Sequence, residues 1–511
     1  MVRSVLANWA GLLVAGVTSF VLLPIFIHWL GDFYFGMWAL ISALVGYSGL
    51  LDMGMRTTVQ RFVARSKGRN NHQESNRTLT NATAITLAIS CCATLSCAAL
   101  TTVLPDFFAL RGPARSLFQW LLILLGLEVA VSLPARLFST YLIGLQRFDL
   151  YNLLLTIGTT LRAAFQVAVL RAGWGVLGLA GVNLAMEVAF VPICWKLLRR
   201  TDPHVAIDWK YFRFADVREI GNFGFYAFLA NLGDYLRFHA GSLIIGRVLS
   251  VSLVTPFAVA SRLMSYFRQV TVGLTSPLMP KMSALEGLSR LSELRHLYLR
   301  GTRISTLLSF FVASLVVLDG RMLLHVWVGE TLMTVSFPVL VCLSVGYTAA
   351  MAQWPSSMVL YSLGRHRPLG LWTLAEGCIN VLLSIMLGSK YGLWGVALGT
   401  AIPMLFVACL VQPWYVLRLL RIRLLDYVRT AFFRPAIAAF LFLGTASFLS
   451  LEQGRGDFFH LFQRVFAQIV LYAGLLWTVG LDAADRRFIR LRLIGVTSDA
   501  PKKEPQEIVL H

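Results

Sequence analysis

The sequence is poor in charge. Of its 511 residues only 14% are Asp, Glu, Lys or Arg, and 25 are acidic. A soluble globular domain carries about 25% charged residues, so this chain lacks the means to cover a water-facing surface. Long polar segments are also missing. The largest internal ones, near 54–77, 197–219 and 279–301, hold roughly 25 residues each, too few to bury a core of their own. That excludes a soluble nucleotide-binding or glycosyltransferase domain. No GxxxxGK[ST] phosphate loop and no HExxH zinc motif occurs. The seven cysteines, from Cys91 to Cys409, all fall inside apolar runs, and none has metal-ligand spacing to histidine. They read as small buried hydrophobes, with no disulfide framework, metal or cofactor. The first apolar run, Ser4 to Leu30, is too long for a signal-peptide core and lacks a small-residue cleavage site, so it reads as a first span.

Apolar residues are abundant instead. They make up 57% of the chain, and mean hydropathy is +0.69. A helix needs about 20 apolar residues to cross a bilayer. Runs of that kind predict an all-α polytopic membrane protein with about 14 transmembrane helices. The expected spans are 4–30, 33–53, 78–104, 116–141, 150–171, 175–196, 220–246, 252–278, 302–325, 333–361, 369–389, 392–417, 432–451 and 461–481. The seventh and eighth are the most polar, carrying Asp234, Arg237, Arg262 and Arg268.

A net charge of +20 raises the question of nucleic acid, but the placement of the charges argues against it. Lys and Arg sit in short blocks between apolar runs. With the N-terminus inside, 32 of the 45 fall on the cytoplasmic side, eight outside and five within spans. That bias is what the positive-inside rule requires, and it puts both termini in the cytoplasm.

Two matches share an offset of 220 residues. Tyr141, Gly144 and Arg147 correspond to Tyr361, Gly364 and Arg367; Trp174-Gly175-Val176 corresponds to Trp394-Gly395-Val396. Units of six helices repeat in the same direction, about a pseudo-two-fold axis along the membrane normal. The expected organisation is an N-terminal six-helix lobe (1–200), an inter-lobe linker (201–219), a C-terminal lobe (220–420), helices 13 and 14 (421–485) and a tail (486–511).

A charged side chain at mid-span costs about 2.5–3.5 kcal/mol on insertion scales, so those present need a cavity, a partner or the interface. The fourth span carries a stripe of Glu128, Ser132, Arg136 and Thr140, with Pro134 inside it. The fifth has Thr159, Arg162 and Gln166; the sixth has Asn183 and Glu187. The seventh has Asn231, Asp234 and Arg237, and the eighth Arg262, Ser265 and Gln269 with Arg268 beside them. The eleventh has Thr373, Glu376, Asn380 and Ser384. Single residues have plain readings: an intrahelical Asp234–Arg237 pair, Arg136 snorkelling to the interface, Asn183 and Asn380 joining helices. The set as a whole points to a hydrophilic cleft between two bundles. Arginine binds phosphate in a bidentate fork and keeps its charge, so Arg136, Arg162, Arg237, Arg262 and Arg268 favour an anionic substrate, a diphosphate above all. Asp52, Glu128, Glu187, Asp234 and Glu376 stand as carriers of protons or sodium, or as counter-charges.

Asn8, Gly11, Pro24, Leu30-Gly31 and Phe35-Gly36 lead into Gly49-Leu-Leu-Asp52-Met-Gly54 and Arg61-Phe-Val-Ala64. Gly144-Leu-Gln-Arg147-Phe-Asp149, Gly364-Arg-His-Arg367 and Gly392-Leu-Trp-Gly395-Val-Ala-Leu-Gly399-Thr follow. In order and spacing this chain resembles the Wzx-type oligosaccharide flippases of the multidrug/oligosaccharidyl-lipid/polysaccharide (MOP) exporter superfamily, over nearly its whole length. The resemblance implies a non-enzymatic bacterial inner-membrane flippase with two lobes around an alternately opening cavity. Its substrate would be an undecaprenyl-diphosphate-linked oligosaccharide, carried by proton or sodium antiport. A polysaccharide polymerase and chain-length machinery would be its partners. The related lipid II flippases place arginines and an acidic residue in the cavity; Asp52, Arg56 and Arg262 or Arg268 match by position. No arginine lies between Arg3 and Leu30, which puts O-antigen or exopolysaccharide units ahead of lipid II. A drug or metabolite exporter on the same fold is the alternative. A membrane-embedded polymerase or ligase is disfavoured by the lack of a long outer loop with Arg or His.

Overall fold

A computed structural model of the chain describes residues 2–48, 50, 55–69, 71–449, 458–481 and 486. Every regular element among them is helical, and no strand occurs among the described residues. The first half runs α1 (Val2–Ser48), α2 (Met55–Gly68), α3 (His72–Phe107), α4 (Pro113–Gly144), α5 (Phe148–Arg171) and α6 (Gly175–Thr201). The second runs α7 (Phe214–Val248), α8 (Val254–Thr275), α9 (Leu278–Gly287), α10 (Leu291–Val328), α11 (Glu330–Ala352) and α12 (Trp354–Ser362). It continues through α13 (His366–Tyr391), α14 (Leu393–Phe406) and α15 (Gln412–Leu420). The short α16 (Leu424–Val428) then leads to α17 (Arg434–Leu449) and α18 (Phe458–Leu475).

Eleven helices among the described residues are long and apolar enough to cross a membrane, and the chain is a multi-pass membrane protein. Large apolar side chains point outward along them: Leu95 is 65% exposed, Phe440 77% and Phe462 62%. Such a surface is stable against lipid and would be costly in water.

The difference from fourteen expected spans has two physical causes. The first two expected spans lie on α1, which consists of two helices that meet without a loop at a kink at Gly31, φ 73° and ψ 170°. Only a residue without Cβ takes that conformation at little cost, so the chain kinks there without a loop. The seventh and eighth fall on α7 and α8, which are too rich in charged and polar residues to count as apolar spans. The remaining expected spans coincide with helices, although 33–53 and 432–451 run partly outside the described residues. The connection between α6 and α7 is residues 202–213, shorter than the linker expected at 201–219.

Packing in the two halves is alike. α3 packs on α4 as α10 packs on α11, α4 on α6 as α11 on α14, and α1 on α5 as α7 on α13. Arg147 caps α5 at φ −89°, ψ 58°, and Arg365 caps α13 at φ −88°, ψ 52°. Local geometry therefore aligns Arg147 with Arg365, two residues short of the expected Arg367. A π-helical turn at Val407–Val411 joins α14 to α15.

The halves meet through α1 against α7 and α8, and share one buried apolar cluster that includes Met37, Leu40, Val254, Phe257 and Val339. Contact is closest near the α7–α8 turn. A Cβ at Gly36 would overlap the carbonyl oxygen of Val251, and Thr255 Oγ1 donates to the Asp32 carbonyl at 2.6 Å. Farther along, Trp327 Nε1 donates to the Phe20 carbonyl at 2.9 Å, with the two rings stacked 4.6 Å apart. Within the second half α7 and α13 approach backbone to backbone: a Cβ at Gly377 would sit 2.9 Å from the Gly233 carbonyl oxygen.

Substituting Gly377→Val should therefore push α7 and α13 apart. Overpacking of this kind costs about 1–3 kcal/mol. The expected result is a melting temperature lowered by several degrees in detergent, read by fluorescence-detected size exclusion. An unchanged melting temperature would contradict the close packing.

Candidate functional site

A cavity of about 520 Å³ lies between the halves, walled by α1, α5 and α6 on one side and by α7, α8 and α11 on the other. Its polar groups come at helical spacing from each wall. α5 contributes Thr159, Arg162 and Gln166; α8 contributes Ser261, Arg262, Ser265 and Arg268. These positions recur every three to four residues, so each set shares one helix face. No carboxylate lines this cavity among the described residues; its charged groups are three arginines.

Arg162 is held by a counter-charge: its guanidinium donates to Glu187 Oε1 at 2.6 Å across α5 and α6. Gln166 Nε2 donates to Asn183 Oδ1 at 3.0 Å, which fixes Asn183 at the wall. Arg262 is exposed into the cavity and enters no ion pair among the described residues. Arg268 lies with its guanidinium carbon 4.7 Å from the centre of the Phe238 ring; Arg237 lies 5.0 Å from the same ring. A cation over an aromatic face gains about 0.5–2 kcal/mol, more where water is excluded, so Phe238 partly offsets the desolvation of two arginines.

Arg237 itself turns away from the main cavity. Its Nε is 2.8 Å from Glu376 Oε1, with Arg237 12% and Glu376 1% exposed. The pair ties α7 to α13, and Asn380 on α13 reinforces the junction by donating to the Arg237 carbonyl at 3.0 Å. Asn380 Oδ1 also accepts from Ser384 and Thr400, so this residue joins three helices. Arg237 thus pairs with Glu376 on another helix, and Asp234 forms no intrahelical pair with it. Asp234 lines a narrow side pocket beside Arg237 and Arg268.

The remaining expected residues are scattered. Glu128 lines a small annex that shares Trp38, Ser42 and Asn183 with the main cavity. Arg136 lines neither space and stays half-buried on α4. Asp52 lies outside the described residues, as does the side chain of Arg56. Of the five expected arginines, Arg162, Arg262 and Arg268 share the cavity, Arg237 borders it, and Arg136 is apart.

His239 escaped the sequence reading. It lines the cavity, stacked 5.1 Å from Tyr235, and its ring lies 3.5 Å from where a Cβ on Gly46 would stand. Reading α7 at intervals of three from Asn231 passed over it. Its place beside Arg262 and Arg268 depends on how α7 and α8 cross.

A membrane bundle with a polar, cationic cavity between two halves defines a transporter architecture. The chain belongs to the polysaccharide biosynthesis protein family, whose model matches residues 29–336. A Shigella flexneri protein described as a candidate O-antigen transporter is 23% identical over 397 residues, covering 76% of this chain and 90% of that protein. Among solved structures, the lipid II flippase MurJ in an inward closed conformation superposes with a TM-score of 0.71 at 11% identity, over 97% of this chain and all of that one. An inward-facing multidrug resistance MATE family transporter of the MOP superfamily gives 0.67 at 16% identity, over 79% and 94%. The fold is that of the MOP superfamily transporters.

If Arg162 and Glu187 stabilise each other, removing either alone strands a charge in a half-buried wall. The double variant Arg162→Ala/Glu187→Ala should lower the melting temperature by less than the two single losses combined. The coupling is expected at about 0.5–3 kcal/mol. Additive losses in detergent melts would mean that the contact contributes nothing.

Proposed function

We propose that the protein is a flippase moving an undecaprenyl-diphosphate-linked oligosaccharide, an O-antigen or exopolysaccharide unit, from the inner to the outer leaflet of the bacterial inner membrane. The observation that carries this reading is the trio Arg162, Arg262 and Arg268 on one cavity between the halves. Three fixed cations with no lining carboxylate suit a diphosphate. A lipid-linked substrate keeps its tail in the bilayer while its head crosses through the cavity. Polysaccharide-biosynthesis membership and the O-antigen transporter likeness support the substrate class.

In this mechanism the two halves rock about the cavity as units of one repeat. The lysine and arginine distribution supports cytoplasmic termini, and in that orientation the closely packed end at Gly36–Val251 and Thr255–Asp32 faces outward. Loading occurs from the inner leaflet. Export of two negative charges gains roughly 4–5 kcal/mol from a 100 mV inside-negative potential. Ion antiport serves to reset the carrier, and Asp234, Glu376 and Glu128 are its candidate sites; Glu187 is a counter-charge to Arg162. Helices α17 and α18 flank the route of the polyprenyl tail. No step requires covalent chemistry, so the protein is not an enzyme.

The fold likeness to a multidrug transporter favours a second reading, export of small organic molecules. A cationic wall disfavours cationic drugs. Uptake of a fluorescent organic cation by vesicles containing the protein would support the second reading.

Glycan display in cells tests the first reading. Arg262→Ala and Arg268→Ala should each reduce display at least tenfold at matched protein levels, since a charge-assisted contact is worth about 1.5–3 kcal/mol. Lysine at either position should restore it only in part. Arg136→Ala should leave it normal. Full display by Arg162→Ala, Arg262→Ala and Arg268→Ala would exclude a diphosphate site in this cavity.

Orientation has its own measurement. Single cysteines at Asp208 and Leu425 should resist an impermeant thiol reagent applied outside intact cells, while one at Lys390 should react. The opposite pattern would invert the topology.

A further inference from the structure

A second cavity lies at the end of the bundle where α2 turns into α3 and α6 leads into α7. It measures about 460 Å³, nearly the size of the central one, and shares no residue with it. Its wall carries Arg65 from α2, Arg77 from α3, and Lys210 and Arg213 from the connecting segment, against a single carboxylate, Glu74. Asn71 and Gln73 add amides, and Phe62 and Tyr211 add ring faces.

Side chains dedicated to the purpose build this cavity. Asn76 donates to the His204 carbonyl at 2.9 Å and accepts from the Ala206 N–H at 3.0 Å. Asn81 Oδ1 accepts from the Arg213 N–H at 3.0 Å. The 202–213 segment is therefore clipped to α3, which sets Lys210 and Arg213 opposite α2. On the other wall Ser66 and Ser75 hydroxyls meet at 2.6 Å, and Lys67 Nζ donates to the Leu145 carbonyl at 3.0 Å. The turn that carries Arg65 is thus anchored to both α3 and α4. Lys210 is balanced by Asp208 at 2.8 Å. Arg65 and Arg213 enter no ion pair among the described residues.

Positive-inside bias explains why cations lie at this end of the bundle. It does not explain why a hydrogen-bonded frame holds them around one concave space, where like charges repel unless an anion is shared. We infer that this cavity is a binding site for an organic phosphate, with Arg65 and Arg213 as its phosphate ligands. The amides and ring faces suit hydroxyl groups and a sugar or base plane beside the phosphate. Two sources supply that chemistry: a soluble phosphate ester and the headgroup of an anionic lipid. The site stands independently of the flippase reading, since it shares no residue with the central cavity.

The test uses the full-length protein in nanodiscs and inorganic pyrophosphate as probe, with binding followed by calorimetry. Titrations are made in the central-cavity variant Arg262→Ala, so that the diphosphate site proposed there does not contribute, and that variant should keep one pyrophosphate site. Arg65→Ala/Arg213→Ala should lose on the order of a hundredfold in affinity, with an unchanged melting temperature. The conservative variant Arg65→Lys/Arg213→Lys should recover part of that loss. Binding in neutral phosphatidylcholine discs that persists when phosphatidylglycerol is added assigns a soluble occupant; competition by phosphatidylglycerol assigns a lipid headgroup. Absence of pyrophosphate binding in neutral discs, or binding lost in Arg262→Ala and kept in Arg65→Ala/Arg213→Ala, would overturn the proposal. Failure of the flippase reading would show in glycan display by the Arg262 variant and would leave these titrations untouched.

Discussion

An arginine in a membrane protein cannot shed its charge, and hydrocarbon cannot solvate it. That constraint organises the interior of this protein. An arginine within a span is stabilised by a carboxylate, an aromatic face or a polar cavity, and for four of the five expected arginines the helices supply one. Arg162 takes Glu187, Arg237 takes Glu376, and Arg237 and Arg268 both lie over Phe238. Arg262 takes the cavity itself. The cavity between the halves is thus the solvent that the polar faces of α5 and α8 require.

The same constraint divides the charged residues into two kinds. Glu376, almost fully buried, and Arg237 form a closed pair at the α7–α13 junction, where glycines bring the backbones together and Asn380 completes the joint. Such a pair is expensive to break and holds helices in place. Arg262 and Arg268 have no carboxylate partner among the described residues and line the cavity between the halves. Arg237 on α7 and Arg268 on α8 lie over the same Phe238 ring, yet only Arg237 has a carboxylate partner among the described residues.

Much of the architecture was legible in the sequence because bilayer thickness, side-chain hydropathy and charge bias act on short windows of chain. Runs of apolar residues placed nearly every helix. The expected six-helix repeat rested in part on Gly144 and Gly364, but Gly364 takes φ 67° whereas Gly144 closes α4, and the positive φ beside it falls on Gln146 at 62°. Caps align Arg147 with Arg365, an offset two residues shorter than the one the motifs share, and a shift that small does not disturb hydropathy. The kink at Gly31 was also hidden, because a glycine in an apolar run carries no sign of the φ it will adopt.

The sequence by itself determined that the chain spans a membrane and that polar stripes with arginines line some of its helices. These are properties of composition and of spacing along one helix. Only the tertiary structure decided which stripes meet. It brought Arg162 of α5 to the same cavity as Arg262 and Arg268 of α8, sent Arg237 to Glu376, left Arg136 apart, and added His239. Periodicity fixes which face a residue occupies, but the neighbour of that face is set by how helices far apart in the chain pack against one another.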